Sequence, residues 1–467
     1  MKIFLIIPAI LISTLWPKAY TVSDPPMVYI YHFVSYDSTS FLLHGGVNDE
    51  TQNKLLNRCW YHISVIIDKQ NKHFSLETKI LKKEIICPTE EAVVEEFDGK
   101  LTLDSNHPLL FAADTYSSSA STNISTEKFN GKLEAPEIWI DEYPKPVIQW
   151  DFSKEMGTQT IVEVGSSRFH GLLVNTPMRA ATGHNWDGST DNCAQDPSQY
   201  GAIHFHDDDV TDCDWETSLN IPIPEEIRSG YWIARMRTDG VKSDVPFFIS
   251  VKPGNPTAKL LFIAPTATYL AYANTHIKFD SHNTENLFEA PMVLSEDELY
   301  LNIHRELGLS NYDTHSDDSG VVYSSANRPI LNMRPGLYTF NYVNDTHIIR
   351  WLEEQKVKYD VATDEELHKH GMSLLAPYKV IMTASHPEYY STEMWDAISE
   401  YQSFGGRHMY MGGNGFYWRI AYSNGNAAVI ENRRGLSGVR TWEGQPGEHH
   451  LAPDQALPAQ RDPAAVN

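Results

Sequence analysis

At 467 residues the chain is long enough for two or three domains, and its 41% hydrophobic and 11% aromatic content is ample for packed cores. The 61 acidic residues against 37 basic ones leave a formal charge of −24, which repels nucleic acid and anionic lipid and argues against a nucleic-acid binder. No apolar run reaches the roughly 18 residues that a spanning helix needs, so no membrane segment is expected.

Met1-Lys2 followed by Ile3 to Trp16 has the charge and apolar length of a signal peptide. Pro8 interrupts the run, however, and Trp16-Pro17-Lys18-Ala19-Tyr20 offers no small-x-small cleavage site. The segment therefore reads as a β-strand and the protein as cytoplasmic; secretion is the alternative if residues 1–19 are a signal peptide. Cys59, Cys87, Cys193 and Cys213 show no CxxC spacing. They read as four thiols of a reducing compartment, with a Cys193–Cys213 bridge as the other option. Asn123-Ile124-Ser125 and Asn344-Asp345-Thr346 fit the glycosylation sequon, a triplet that also arises by chance.

Residues 1–147 form the first expected domain. Val28 to Phe33, Trp60 to Ile67, Phe74 to Leu81 and Ile138 to Ile140 are rich in β-branched and aromatic residues, with turn clusters such as Asp68-Lys69-Gln70-Asn71 between them. This spacing predicts a β-sandwich. A second, smaller β-domain is expected over 148–255, from Ile203 to His206, Trp215 to Leu219, Tyr231 to Arg237 and Phe247 to Val251. Pro253-Gly254-Asn255-Pro256 closes it.

From residue 256 to 467 strands alternate with helices. Lys259 to Ala264 is an apolar strand, Asp345 to Gln355 an amphipathic helix and Tyr359 to Thr363 a strand, with Asp364 capping the helix that follows. Val380 to Met382, a helix with Met394, Trp395, Ile398 and Tyr401 at helical spacing, and His408 to Met411 make a βαβ unit. Alternation of this kind predicts a parallel α/β sheet, which places ligands outside the carboxyl ends of its strands. Those ends carry His386-Pro387-Glu388 and Gly412-Gly413-Asn414-Gly415.

Each candidate has a plainer reading. Tyr269 and Tyr272 by spacing alone read as aromatic packing, the loop Asn311 to Gly320 as a solvated turn, and His386-Pro387-Glu388 as a helix N-terminal region. His204-Phe205-His206-Asp207-Asp208-Asp209 looks like a metal cluster, with His204 and His206 on one strand face, which suits zinc or iron. It lacks a partnering Cys/His pair, so an exposed strand end is the expectation. No G-x-S-x-G elbow is present, which removes a serine hydrolase of that type. No cysteine lies beyond Cys213, so glutamine-amidotransferase chemistry lacks its nucleophile.

Taken in order, several segments resemble the large (beta) subunit of N,N-dimethylformamidase and its relatives. They are Trp150-Asp151-Phe152-Ser153, Leu173-Val174-Asn175, Thr182-Gly183-His184-Asn185-Trp186-Asp187-Gly188 and Tyr269-Leu270-Ala271-Tyr272-Ala273-Asn274. Tyr312-Asp313-x-His315-Ser316-Asp317, Asn332-Met333-Arg334-Pro335, His386-Pro387-Glu388-Tyr389 and Gly412-Gly413-Asn414-Gly415-Phe416-Tyr417-Trp418 continue the series. The resemblance implies a laminin-G/concanavalin-like β-sandwich, a small second β-domain and a glutamine-amidotransferase-like parallel α/β domain. It implies a mononuclear, ferric iron held by Glu388, Tyr272 and Tyr312, with Tyr269 the alternative to Tyr272. His386 and Asn414 correspond to polar active-site residues.

The implied reaction is metal-dependent hydrolysis of small N-substituted amides, N,N-dimethylformamide to dimethylamine and formate, in a heterodimer with a small subunit that further oligomerises. Family subunits extend past this C-terminus and supply a further carboxylate there, so the α/β domain is expected to be incomplete and the chain alone a poor catalyst. Glu443 and Glu448 near the end have no assigned role as base. The alternative is a non-catalytic carbohydrate- or partner-binding β-sandwich protein with an inert α/β remnant.

Overall fold

Period-two burial appears in strands of the first half of the chain: over Ile148–Asp151, Ile148 and Trp150 are buried while Gln149 and Asp151 are half-buried. The computed structural model describes residues 2–6, 27–35, 40–44, 58–68, 73–81, 93–98, 110–113, 128–140, 144–213, 215–217, 219–238, 241–276, 296–335, 340–423, 426–435 and 444–451. Two compact units result. Unit 1 comprises Met1–Asp209, Ser316–Asp318 and Pro446–Asp454; unit 2 comprises Val210–His315, Ser319–Gln445 and Gln455–Asn467.

Unit 1 contains β1 (Lys2–Ile6), β2 (Met27–Ser35), β3 (Ser40–His44), β4 (Trp60–Asp68), β5 (His73–Ile80), β6 (Val93–Asp98), β7 (Gly131–Ile140), β8 (Ile148–Asp151), β9 (Thr160–Glu163), β10 (Gly171–Leu172), β11 (Met178–Ala181) and β12 (Ala202–Phe205). β1 and β3 pair in parallel. The other ten form one sheet, ordered β10-β9-β8-β7-β2-β4-β5-β6, with β12 also on β7 and β11 on β12. The pairing of Glu137 with Gln149 carries this sheet past residue 147.

Cys59, just before β4, is disulfide-bonded, which corrects the expectation of four thiols. Cys193 and Cys213 are thiols and are not bridged to each other. Pairing follows proximity in the fold, which spacing along the chain does not encode. The sequon at Asn123 and the residue Glu443 lie outside the described residues.

Unit 2 opens with an antiparallel hairpin, β13 (Gly230–Thr238) and β14 (Val241–Ile249). The strand expected over Trp215 to Leu219 does not form among the described residues, and both side chains are exposed, so no burial drives it. Next come β15 (Leu260–Ala264), β16 (Tyr323–Ser325), β17 (Tyr359–Thr363), β18 (Val380–Thr383), β19 (Tyr389–Tyr390), β20 (Arg407–Tyr410), β21 (Trp418–Ser423) and β22 (Asn426–Asn432). The helices are α1 (Thr266–Ala271), α2 (Glu296–Ile303), α3 (Tyr342–Glu354), α4 (Asp364–His370), α5 (Met372–Leu375) and α6 (Thr392–Ser403).

Four strands form a fully parallel sheet in the order β17-β15-β18-β20. Both faces are covered, as parallel sheets require. Leu261, Ile263 and Ile381 pack with Leu367, Leu374, Met394, Ala397, Ile398 and Tyr401 on one side. Leu260, Phe262 and Met382 pack with Leu352 and the hairpin's Tyr231 and Phe248 on the other. A second sheet runs β16-β22-β21-β19.

The chain-order reading of the parallel sheet is second, first, third, fourth strand, so the winding reverses between β15 and β18. In doubly wound sheets that reversal opens a crevice at the carboxyl ends. The expected cap of α4 moves by one residue: Thr363 accepts from Glu366 N, while Asp364 is the first helical residue and accepts from Ala267 N at 3.0 Å. No helix among the described residues is long and apolar enough to cross a membrane.

Candidate functional site

The residues after β15 and β18 meet at this reversal. β15 leads into α1, which ends with Tyr272 as its C-cap; β18 leads into Ser385-His386-Pro387-Glu388. Tyr272 and Tyr312 both turn to Glu388, which is buried. The Tyr272 hydroxyl donates to Glu388 Oε2 at 3.0 Å, and that of Tyr312 lies 3.3 Å from Oε1 and 3.4 Å from Oε2. The two phenol rings stack with centroids 3.9 Å apart. Three hard oxygen donors thus converge from segments more than a hundred residues apart in total span.

The surrounding hydrogen bonds fix this arrangement. Thr268 Oγ1 accepts from Glu388 N at 3.1 Å, and the Glu388 carbonyl accepts from Tyr417 N at 3.1 Å and Trp418 N at 2.9 Å. Asn332 Nδ2 donates to the Tyr272 carbonyl at 3.1 Å, and its Oδ1 accepts from Asn274 N at 2.9 Å. Asn311 N donates to the Ala271 carbonyl at 3.0 Å, which ties the Tyr312 loop to the end of α1. The polar residues of these motifs therefore hold backbone, and the phenols and carboxylate are left for chemistry.

Tyr269 does not join them. Its hydroxyl donates to Asp345 Oδ2 at 2.5 Å and lies 3.0 Å from the Tyr231 hydroxyl. Asp345 Oδ1 in turn accepts from Ser385 N and Oγ. His386 lies with the cluster: its Nε2 is 3.2 Å from Glu388 Oε2, but the angles do not make a hydrogen bond, and this buried nitrogen has no hydrogen-bond partner. Phe340 meets the imidazole edge-on, with centroids 4.4 Å apart.

Asn414 is exposed. Its neighbour Gly413 packs on His386: a Cβ there would lie 2.3 Å from Nδ1 and 2.7 Å from Cα, and φ is +75°. β18 and β20 are adjacent and parallel, as the βαβ reading requires, and this brings the glycine loop to His386.

Two residues at the cluster were given no role by the reading of the sequence. Tyr389 lies 2.6 Å from the Tyr312 hydroxyl. Buried Arg434 donates to the Tyr389 hydroxyl and lies 4.5 Å over the Tyr312 ring. Tyr389 adjoins Glu388 and was findable by adjacency; Arg434 follows β22 with no spacing signal. Burial pushes the Tyr272 phenol far above its ordinary value, with Tyr389, Tyr312 and Glu388 adding to the effect. Burial raises Tyr312 as well, against the opposing pull of Arg434.

In unit 1, His204 and His206 are buried, which corrects the expectation of an exposed strand end. Glu448 is buried there too. Its Oε1 accepts from Lys132 Nζ, from Thr182 N at 2.7 Å and from Thr182 Oγ1 at 2.7 Å.

A family model described as N,N-dimethylformamidase beta subunit-like, C-terminal, matches residues 178–465. The N,N-dimethylformamidase beta subunits of Paracoccus aminophilus and Alcaligenes sp. are 34% and 33% identical to the chain over 435 residues. Those alignments cover 85% of this chain and 57% of each relative, so the chain spans little more than half the length of the curated relatives it matches. By these matches, and by the ordered motifs that build the crevice, the chain belongs to the N,N-dimethylformamidase beta subunit family.

Proposed function

We propose that unit 2 hydrolyses small N-substituted amides of the N,N-dimethylformamide class, with Tyr272, Tyr312 and Glu388 holding a mononuclear ferric iron. The observation that carries this reading is the convergence of both phenols on one buried carboxylate. Donor atoms about 3 Å apart suit neighbouring positions around an ion bound at about 2 Å, and phenolate and carboxylate are hard donors. Burial keeps both phenols neutral in the protein alone, and a bound cation is what would stabilise their anions. When bound there, iron supplies Lewis acidity that polarises an amide carbonyl and acidifies water.

The chain's own residues do the rest. Glu388 is held in place through its backbone N–H and carbonyl. In this reading His386, whose Nε2 is buried and without a hydrogen-bond partner, takes a proton from water and returns it to the departing amine. Phe340 and the glycine loop restrict that imidazole to one orientation. Asn414, exposed on the same loop, would orient the amide. The C–N bond breaks as the water oxygen bonds to the carbonyl carbon, giving carboxylate and amine.

In the same reading residues 1–147 form a laminin-G/concanavalin-like sandwich, residues 148–255 a small second β-domain, and the parallel sheet of residues 256–467 is glutamine-amidotransferase-like. The relatives are named beta subunits, and we extend to this chain the expectation of a partner small subunit. The test is iron content together with a tyrosinate-to-iron charge-transfer band in purified chain co-expressed with its partner. Glu388→Gln should lose both, along with formate release from dimethylformamide. Iron retained at full occupancy in that variant would refute the ligand assignment.

A further inference from the structure

We propose that unit 1 carries a metal site of its own, in which His204, His206 and Asp317 hold one divalent transition-metal ion of the zinc class. One donor atom from each of the three lies within 4.8 Å of the others. His204 and His206 are alternate residues at the end of β12, so period two puts both imidazoles on one face. Their ring centroids are 4.1 Å apart. Asp317 comes from far along the chain, and its Oδ2 lies 3.0 Å from His204 Nε2. All three side chains are buried.

The segment that carries Asp317 is held by contacts other than those to the imidazoles. Ser316 Oγ accepts from Asn130 Nδ2 at 2.8 Å and donates to Asp207 Oδ1 at 2.5 Å, while Ser316 N donates to Asp208 Oδ2 at 3.1 Å. These bonds seat the Ser316–Asp318 segment within unit 1. A fourth group completes the pattern. The Asp209 carboxylate engages His206 Nδ1 at 3.2 Å, as outer carboxylates do when they orient a metal-binding imidazole.

Two nitrogens and one carboxylate oxygen favour zinc and its neighbours over calcium or magnesium, which take all-oxygen sets. Zinc bonds to such donors are about 2.0–2.2 Å long, so ligands on adjacent positions come within roughly 3–3.5 Å of each other. The His204–Asp317 separation falls in that interval. The set carries one negative charge when both imidazoles are neutral, which a divalent ion overcompensates by only one. Its burial makes the site structural: the ion would fasten the Asp317 segment to β12.

The test uses the full chain carrying Glu388→Gln, which removes a ligand of the unit 2 cluster, so the outcome does not depend on the iron reading. Chelator-stripped protein is titrated with zinc chloride and its metal content measured. One zinc per chain and a raised melting temperature are expected. His204→Gln and Asp317→Asn, each added to that background, should lower zinc affinity by more than about 100-fold. Asp209→Asn, acting through His206, should lower it by about 10- to 100-fold. Zinc K-edge absorption of the parent protein, which needs no further variant to fold, should report two imidazole nitrogens around the ion. Failure to bind zinc, a first shell without imidazole, or affinity unchanged by Asp317→Asn in folded protein would mean a buried histidine–aspartate hydrogen-bonded cluster only, and would overturn the proposal.

Discussion

Tyr269 and Tyr272 stand three positions apart on the same short segment and make opposite connections. Tyr269 joins the buried Asp345–Ser385 network, and Tyr272 faces Glu388. Removing each hydroxyl should therefore have separable effects. Tyr272→Phe is expected to abolish the charge-transfer band and iron content with little change in folding. Tyr269→Phe should keep the band and lower stability by about 1–3 kcal/mol, because it leaves a buried carboxylate short of a donor. Elemental analysis and urea denaturation on the same preparations check both.

Gly413 offers a second residue-scale test. Its φ of +75° is one that side chains rarely adopt, and an added methyl would run into the His386 ring and Cα. Gly413→Ala should displace His386 and depress turnover more than iron occupancy. Formate release normalised to bound iron measures this.

At the scale of elements, α6 shows how local chemistry places a site. Ser391 accepts from Met394 N and so caps the helix, and Met394, Ala397, Ile398 and Tyr401 then bury one face against the parallel sheet. The same serine hydroxyl lies 2.8 Å from His368 Nδ1 of α4, so one residue serves two helices. Ser391→Ala should cost about 0.5–2 kcal/mol, read from the shift of the denaturation midpoint. Because α6 is the crossover between β18 and β20, fraying its start loosens the strand ends that deliver His386 and the glycine loop.

At the scale of the whole molecule, unit 1 is closed by an ion pair spanning 316 residues of sequence, Lys132 with Glu448. Burial raises the Glu448 carboxyl, but Lys132 and Thr182 outweigh it and leave the group below its ordinary value of 4.5. A depressed folded-state value means the pair stabilises above the ordinary carboxylate range and loses that contribution as pH falls below 4.5 toward the folded value. Lys132→Met should cost about 3–5 kcal/mol near neutral pH, since it strands a buried charge, and the penalty should shrink in acid. Thermal melts of wild type and variant across that range test the sign.

Residue order alone determined the α/β character of the C-terminal half and the strands β15, β17, β18 and β20 within a residue or two. These were legible because apolar periodicity is a local property, whereas the grouping of Tyr272, Tyr312, Glu388 and His386 came from the family resemblance and not from spacing. What the tertiary structure decided is whatever depends on distant segments meeting. It separated Tyr272 from Tyr269, which spacing treats alike. It placed Arg434 over Tyr312 and the Asp317 carboxylate beside His204, turning an expected surface strand end into a buried cluster. It also tied Glu448 to Lys132 in unit 1. The physical reason is the same in each case: a side chain's partners are set by which elements pack together, and periodicity along one element carries no information about its neighbour.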